Sequence, residues 1–152
     1  MDKLHLQSEE SGYAHLYVKP LTGKAKALTS GNFEVNDLTV SADEKSIYFK
    51  ANKKHPGIYE IYKVDVDSAQ VTALTNLGGM NDYALSPDES KLLIQHSEIT
   101  MPPELYVKDI TNNVEAIQLT HTVSEAFLAM PWSAPNVVAI ASSHQEQPIY
   151  SK

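Results

Sequence analysis

Two adjacent glutamates, Glu9-Glu10, stand just ahead of Ser11-Gly12-Tyr13 and are the first residues whose pairing could do chemistry. Side-by-side carboxylates can neutralise an ammonium group and accept its hydrogen bonds. The same pair before a Gly-Tyr step also suits a solvated turn, and that is the expected role. Asp43 and Asp88 occupy equivalent polar turns, but neither turn has the clustered oxygen donors of a calcium loop. A side-chain-to-backbone bond within the turn is expected of each. The six histidines, at 5, 15, 55, 96, 121 and 144, form no His-x-His or His-x3-His pair, so zinc spacing is absent. His15 reads as a packed strand residue, and His121 and His144 suggest no chemistry. Lys53-Lys54 reads as a wet loop and Trp132 as a core or junction plug. A hydrolytic triad needs an exposed nucleophile, as in a Gly-x-Ser-x-Gly elbow, and no such motif occurs. The expectation is that this chain carries no catalytic, cofactor-binding or metal-binding residue.

Bulk composition narrows the classes further. The chain has 152 residues, enough for one domain with a real core, and a net charge of −7. All 12 basic residues are Lys, which argues against a nucleic-acid surface and against bidentate clamping of a carboxylate or phosphate. Cys is absent, so disulfides and thiolate metal sites are excluded. No apolar run approaches the roughly 18 residues of a membrane span. The start, Met1-Asp2-Lys3-Leu4-His5-Leu6, has no signal-peptide apolar block and reads as a strand entered directly. The end, Pro148-Ile149-Tyr150-Ser151-Lys152, stops in strand-like sequence, and both ends are expected to be cuts within a larger protein.

The elements that must position these residues repeat. Leu28-Thr29, Leu74-Thr75 and Leu119-Thr120 are spaced 46 and 45 apart, and Leu16-Tyr17, Ile61-Tyr62 and Leu105-Tyr106 run in step at 45 and 44. One such unit cannot bury its apolar surface alone and must stack on its neighbours. A period in the mid-forties, built from short strands without helices, is that of a propeller blade.

Within residues 31–76 four strands are expected, at 34–40, 46–51, 58–66 and 70–74, with Leu38 and Val40 on one face of the first. Polar turns lie at 41–45 and 67–68, and a loop at 53–57 holds Pro56 and Gly57. Residues 77–121 repeat the plan at 81–85, 91–96, 104–110 and 115–119, with Pro87 suiting position i+1 of a type I turn. Residues 1–30 supply about three strands, at 4–7, 15–19 and 25–28. Tyr62, Val64 and Val66 oppose Tyr59 and Ile61, so this strand is apolar on both faces, as in a sheet packed between two others. A β-sandwich is the competing architecture, but it leaves the 45-residue phase unexplained. After Thr120 the plan breaks. Residues 126–130 are expected as an exit strand, Pro131-Trp132-Ser133-Ala134-Pro135 interrupts, and residues 136–141 begin something new. The expected division is a propeller fragment at 1–130 and a connection at 131–152.

These residues also carry a family resemblance. Glu9-Glu10-Ser11-Gly12-Tyr13-Ala14-His15-Leu16-Tyr17, followed by Leu28-Thr29-Ser30-Gly31-Asn32-Phe33-Glu34-Val35, resembles the later propeller blades of dipeptidyl peptidase IV-like enzymes, serine peptidases of the prolyl oligopeptidase family. Pro102-Pro103-Glu104-Leu105-Tyr106 and Trp132-Ser133-Ala134-Pro135 are similar to that family too, the latter near its junction with the peptidase domain.

The resemblance implies an all-β fold of about two and a half four-stranded antiparallel blades, then the start of a connection to an α/β-hydrolase domain that carries the triad. It implies removal of N-terminal X-Pro or X-Ala dipeptides by the whole enzyme, with this segment walling the cavity, restricting access and docking on the hydrolase. It implies peptides as partners, no cofactor, and a periplasmic or secreted compartment. The family's amine-binding glutamate pair belongs to an earlier blade with different flanks, and its substrate-contacting propeller Arg has no counterpart here. A non-enzymatic TolB-like propeller that binds proteins is the alternative, since Ser86-Pro87-Asp88 with Lys91-Leu92-Leu93-Ile94 is shared with those repeats. An unclosed ring also leads one to expect self-association through its open faces.

Overall fold

The computed structural model describes residues 3–112, 114–144, 146 and 148–151. Met1 and Asp2 of the first expected strand, and Lys152 at the other end, lie outside the described residues. Strands β1 (Lys3–Ser8), β2 (His15–Pro20) and β3 (Lys26–Ala27) form an antiparallel sheet. Strands β4 (Val35–Val40), β5 (Ser46–His55), β6 (Ile58–Asp65) and β7 (Val71–Ala73) form the next. Strands β8 (Met80–Leu85), β9 (Lys91–Glu98), β10 (Met101–Asp109) and β11 (Ile117–Gln118) form the third. Each sheet is an antiparallel meander, and a single parallel bridge, Tyr59 to Met80, ties the second to the third. This is a partial β-propeller of three successive blades.

Burial lies between blades. One core joins Leu16, Val18 and Leu28 of the first blade to Val35, Ile47, Phe49, Tyr62 and Val64 of the second. Another sets Ile61 of the second blade against Leu92 and Ile94 of the third. Strand β6 therefore places Tyr62 and Val64 in one core and Ile61 in the other, which is why it reads as apolar on both faces. Phe49 and Tyr62 stack with ring centroids 5.7 Å apart. Burial of each such side chain contributes about 1.5–3 kcal/mol, so the blades hold one another.

The local departures from the sequence reading have physical causes. The loop expected at 53–57 is mostly strand: β5 runs to His55, and only Pro56 and Gly57 separate it from β6. The ladder absorbs the difference through a register shift between Ala51 and His55. Strand β10 likewise starts at Met101, ahead of the expected 104, with a register shift where Pro102 and Pro103 can donate no ladder bond. In β4 a register shift between Asn36 and Thr39 accompanies a left-handed Asp37 (φ 51°). Val35 is fully buried, whereas Leu38 and Val40 are exposed.

The exit strand expected at 126–130 is not a strand. Residues Glu125–Leu128 form the short helix α1, and a hairpin of β12 (Val138–Ile140) and β13 (Ile149–Ser151) comes after it. Ser124 explains the helix: its hydroxyl accepts from the Phe127 N–H, capping the first turn. Glu125 lies in the positive first turn and Pro131 stands beyond the end, where it cannot continue a helix.

Candidate functional site

The most organised polar groups lie where each blade hands the chain to the next. The strand before the last in each blade, β2, β6 and β10, has one position whose N–H and C=O both point to the Leu-Thr step. The N–H groups of Leu16, Ile61 and Leu105 donate to Oγ1 of Thr29, Thr75 and Thr120 at 2.9, 2.9 and 2.8 Å. Their carbonyls accept from the N–H groups of Leu28, Leu74 and Leu119 at 2.7, 2.8 and 2.7 Å. A threonine hydroxyl that has accepted one bond still has a proton to donate. The residue one step earlier takes it: His15, Glu60 and Glu104.

Each of these three is buried and saturated by the chain's own groups. Nε2 of His15 lies 2.9 Å from the Gly31 carbonyl, which can only accept, so Nε2 carries the proton and Nδ1 accepts from Thr29 at 3.0 Å. His15 is thus a packed strand residue, edge-on to Phe33. Glu60 accepts from Thr75 Oγ1 (2.6 Å), Leu77 N (3.2 Å) and Gly78 N (2.8 Å), and Lys54 Nζ stands 3.6 Å away. Gly79 must be glycine: its φ is +55°, and a Cβ would sit 2.1 Å from the Ser97 carbonyl oxygen. Glu104 accepts from the hydroxyl of Thr120, from Thr122 N (2.6 Å) and Oγ1 (2.9 Å), and from Val123 N (3.2 Å). The Thr120 hydroxyl first, helped by Thr122 and Val123, holds its carboxyl below the usual glutamate range against desolvation. Carboxylates bonded in this way to the chain's own N–H and O–H groups fasten the connection that follows each blade.

Glu60 and Glu104 escaped the sequence reading because the repeat places a histidine at the same position in the first blade. The available signal was spacing: each of the three polar residues lies 14 to 16 positions before the threonine of its blade.

A second polar group joins the blades at β4 and β8. Asp37 and Asp82 are repeat equivalents, and Lys50 lies between them at 2.7 and 2.6 Å. Desolvation disfavours the ammonium, but the bonds it donates to the Asp37 and Asp82 carboxylates win and its pKa is raised. Tyr83 adds a hydroxyl bond to the Asp37 carbonyl at 2.6 Å.

The structure keeps the other noted residues apart. Glu9 and Glu10 are exposed in the turn between β1 and β2. Asp43 and Asp88 accept from Ser41 and Ser86 hydroxyls at 2.7 and 2.6 Å and from the backbone of Lys45 and Ser90, closing equivalent turns. Lys53 and Lys54 are exposed near the β5 hairpin. Trp132 is half exposed and belongs to neither core; it packs on Phe127, whose carbonyl accepts its indole N–H at 2.9 Å. Among the described residues, no group of three His, Asp or Glu could hold a metal ion, and no serine hydroxyl is bonded to a histidine ring. Two open depressions lie on the blades, one of about 190 Å³ lined by Asp82, Tyr83, Leu93, Gln95 and Leu105 and one of about 370 Å³ lined by Lys53, Lys54, Tyr62 and Val71. Among the described residues no helix is long and apolar enough to cross a membrane.

Comparison with known proteins agrees with this architecture. The family profile described as "Dipeptidyl peptidase IV (DPP IV) N-terminal region" matches residues 2–103. Dipeptidyl peptidase 4 of Arthroderma otae is 42% identical over 71 residues, which is 45% of this chain and 9% of that protein. A probable dipeptidyl-aminopeptidase B of Aspergillus clavatus is 41% identical over 79 residues, 49% of this chain and 9% of that protein. The chain therefore matches only a small part of the length of these curated relatives. The crystal structure of Porphyromonas gingivalis dipeptidyl peptidase 4 superposes with a TM-score of 0.78 at 21% identity, covering 97% of this chain and 21% of that one. TolB of Acinetobacter baumannii superposes less well, with a TM-score of 0.59 at 25% identity over 80% of this chain and 30% of that one. The superpositions show the fold, and the profile match over most of the chain shows the family: the chain belongs to the dipeptidyl peptidase IV N-terminal region family.

Proposed function

We propose that this chain is a non-catalytic propeller segment of a dipeptidyl peptidase IV-like serine exopeptidase, serving to restrict substrate access and to dock on the catalytic domain. The profile match over residues 2–103 carries the reading. In the whole enzyme the reaction is release of N-terminal X-Pro or X-Ala dipeptides, with the serine nucleophile supplied by an α/β-hydrolase domain. Residues 1–130 act as the propeller fragment, in blades at roughly 1–30, 31–76 and 77–121, and residues 131–152 as the connection. Exposed apolar residues of the connection, including Trp132, Ile140 and Ile149, support docking, because each leaves about half its surface uncovered. The outer blade faces, with Leu4 on one and Leu93 and Leu119 on the other, support self-association of the 152-residue chain.

The superposition on TolB favours a second reading, a propeller that binds proteins without catalysis. Incubating the chain with Ala-Pro or Gly-Pro chromogenic substrates tests the first. Turnover no greater than blank is expected, and turnover abolished by a serine-directed inhibitor would overturn it. Light scattering at high concentration tests self-association, which a clean monomer contradicts.

A further inference from the structure

We infer that Glu104 is a positioning residue that fixes how the chain leaves the last blade. The inference rests on the proposed role of residues 131–152 as a connection toward another domain. Between the second and third blades, the Glu60 carboxylate gathers Thr75, Leu77 and Gly78, and the chain passes directly into β8. Glu104 gathers the equivalent stretch, Thr120, Thr122 and Val123, but the chain then enters α1 rather than a new blade. The blade-to-blade fastening is thus reused where the repeat ends.

A continuous set of contacts carries that position outward. Val123 is bonded to Glu104, the adjacent Ser124 caps α1, and Phe127 of α1 holds Trp132 by ring contact (4.7 Å) and by the indole bond. None of the described residues from 121 to 151 is buried, so no core fixes this direction. Among the described residues no cation lies within ion-pair distance of Glu104, whereas Glu60 has Lys54. His96 stands opposite Glu104 in register on β9, and Lys108 lies further along the same strand. Nδ1 of His96 is taken by Asn81, and Lys108 Nζ donates to the Val114 carbonyl.

Residue-resolved hydrogen exchange on the 152-residue chain tests this. Glu104→Gln should speed exchange at the Thr122 and Val123 amides about ten- to a hundredfold, from loss of charge-assisted bonds, while Leu92 and Ile94 keep their protection. The difference from wild type should close as acidification protonates Glu104, a dependence that plain loss of packing lacks. Thr122→Ala, which removes one hydroxyl bond and leaves the carboxylate, should show the same local change more weakly; it decides the matter if Glu104→Gln does not fold. Unchanged protection at 122 and 123, or an equal loss throughout β5 and β9, would overturn the inference. Either result leaves the peptidase reading intact, because that reading is decided by the coding sequence beyond Lys152.

Discussion

Leu92-Leu93-Ile94 and Val138-Ala139-Ile140 are comparably apolar strands with opposite fates. Leu92 and Ile94 are completely buried, whereas Val138 and Ile140 are 51% and 50% exposed. The first sits in a blade with another blade stacked on it; the second belongs to a separate two-stranded hairpin, which touches the blades through Tyr150 against His55 but leaves its own residues exposed. Apolarity alone therefore does not bury a strand in this chain. The periodic neighbour does, and where the period ends near Thr120 burial ends as well.

Substitution within a core should break this contrast most visibly. Phe49→Ala is expected to cost about 3–5 kcal/mol, through lost burial and an unfilled cavity. Ile140→Ala should stay within about 0.5 kcal/mol. Urea denaturation of both variants measures the difference, and a comparable loss at Ile140 would show that the hairpin is packed after all.

The polar fastenings come next. Thr75→Val leaves the Ile61 N–H without its hydroxyl acceptor and takes one of several donors from Glu60, at an expected cost of about 1–3 kcal/mol. A loss below about 0.5 kcal/mol by the same measurement would mean that the Leu-Thr step only marks the repeat without holding it.

The turn carboxylates should respond to acid in a defined window. Bonds from the Ser86 and Ser90 hydroxyls, then the Ser90 N–H, hold Asp88 down to about 2. A depressed acid stabilises the fold fully above its ordinary value of about 3.9. That contribution is lost as pH falls through about 2. Carboxyl-carbon NMR should find Asp88 still ionised at about pH 3, and titration near the ordinary aspartate value would contradict the turn geometry.

The smallest effect is expected at the residues most suggestive of chemistry. Glu9→Ala and Glu10→Ala should each change stability by less than about 0.5 kcal/mol, because both stand in solvent. A larger loss in thermal unfolding would give that turn a structural partner not seen here.

Much of this was legible in the sequence. The strand phase, the two-faced character of β6 and the Ser-x-Asp turns at Asp43 and Asp88 all arise from short-range pattern, and the structure has each of them. Two things were not legible. The short run at 126–130 fits strand and helix equally by periodicity, and Ser124 with Pro131 decided for the helix. The fastening position changes type between blades, from His15 to Glu60 and Glu104, so comparison by identity passes over it. Its function depends on groups 14 to 19 residues away, and the fold alone brings these together.

The central proposal, that this is the propeller part of a peptidase whose chemistry lies elsewhere, is tested most directly by the reading frame beyond the codon for Lys152. Sequencing it should reveal a Gly-x-Ser-x-Gly elbow, then Asp and His, within a few hundred residues. A stop codon, or another Leu-Thr repeat in phase with Thr75 and Thr120, would contradict the account and favour a binding propeller.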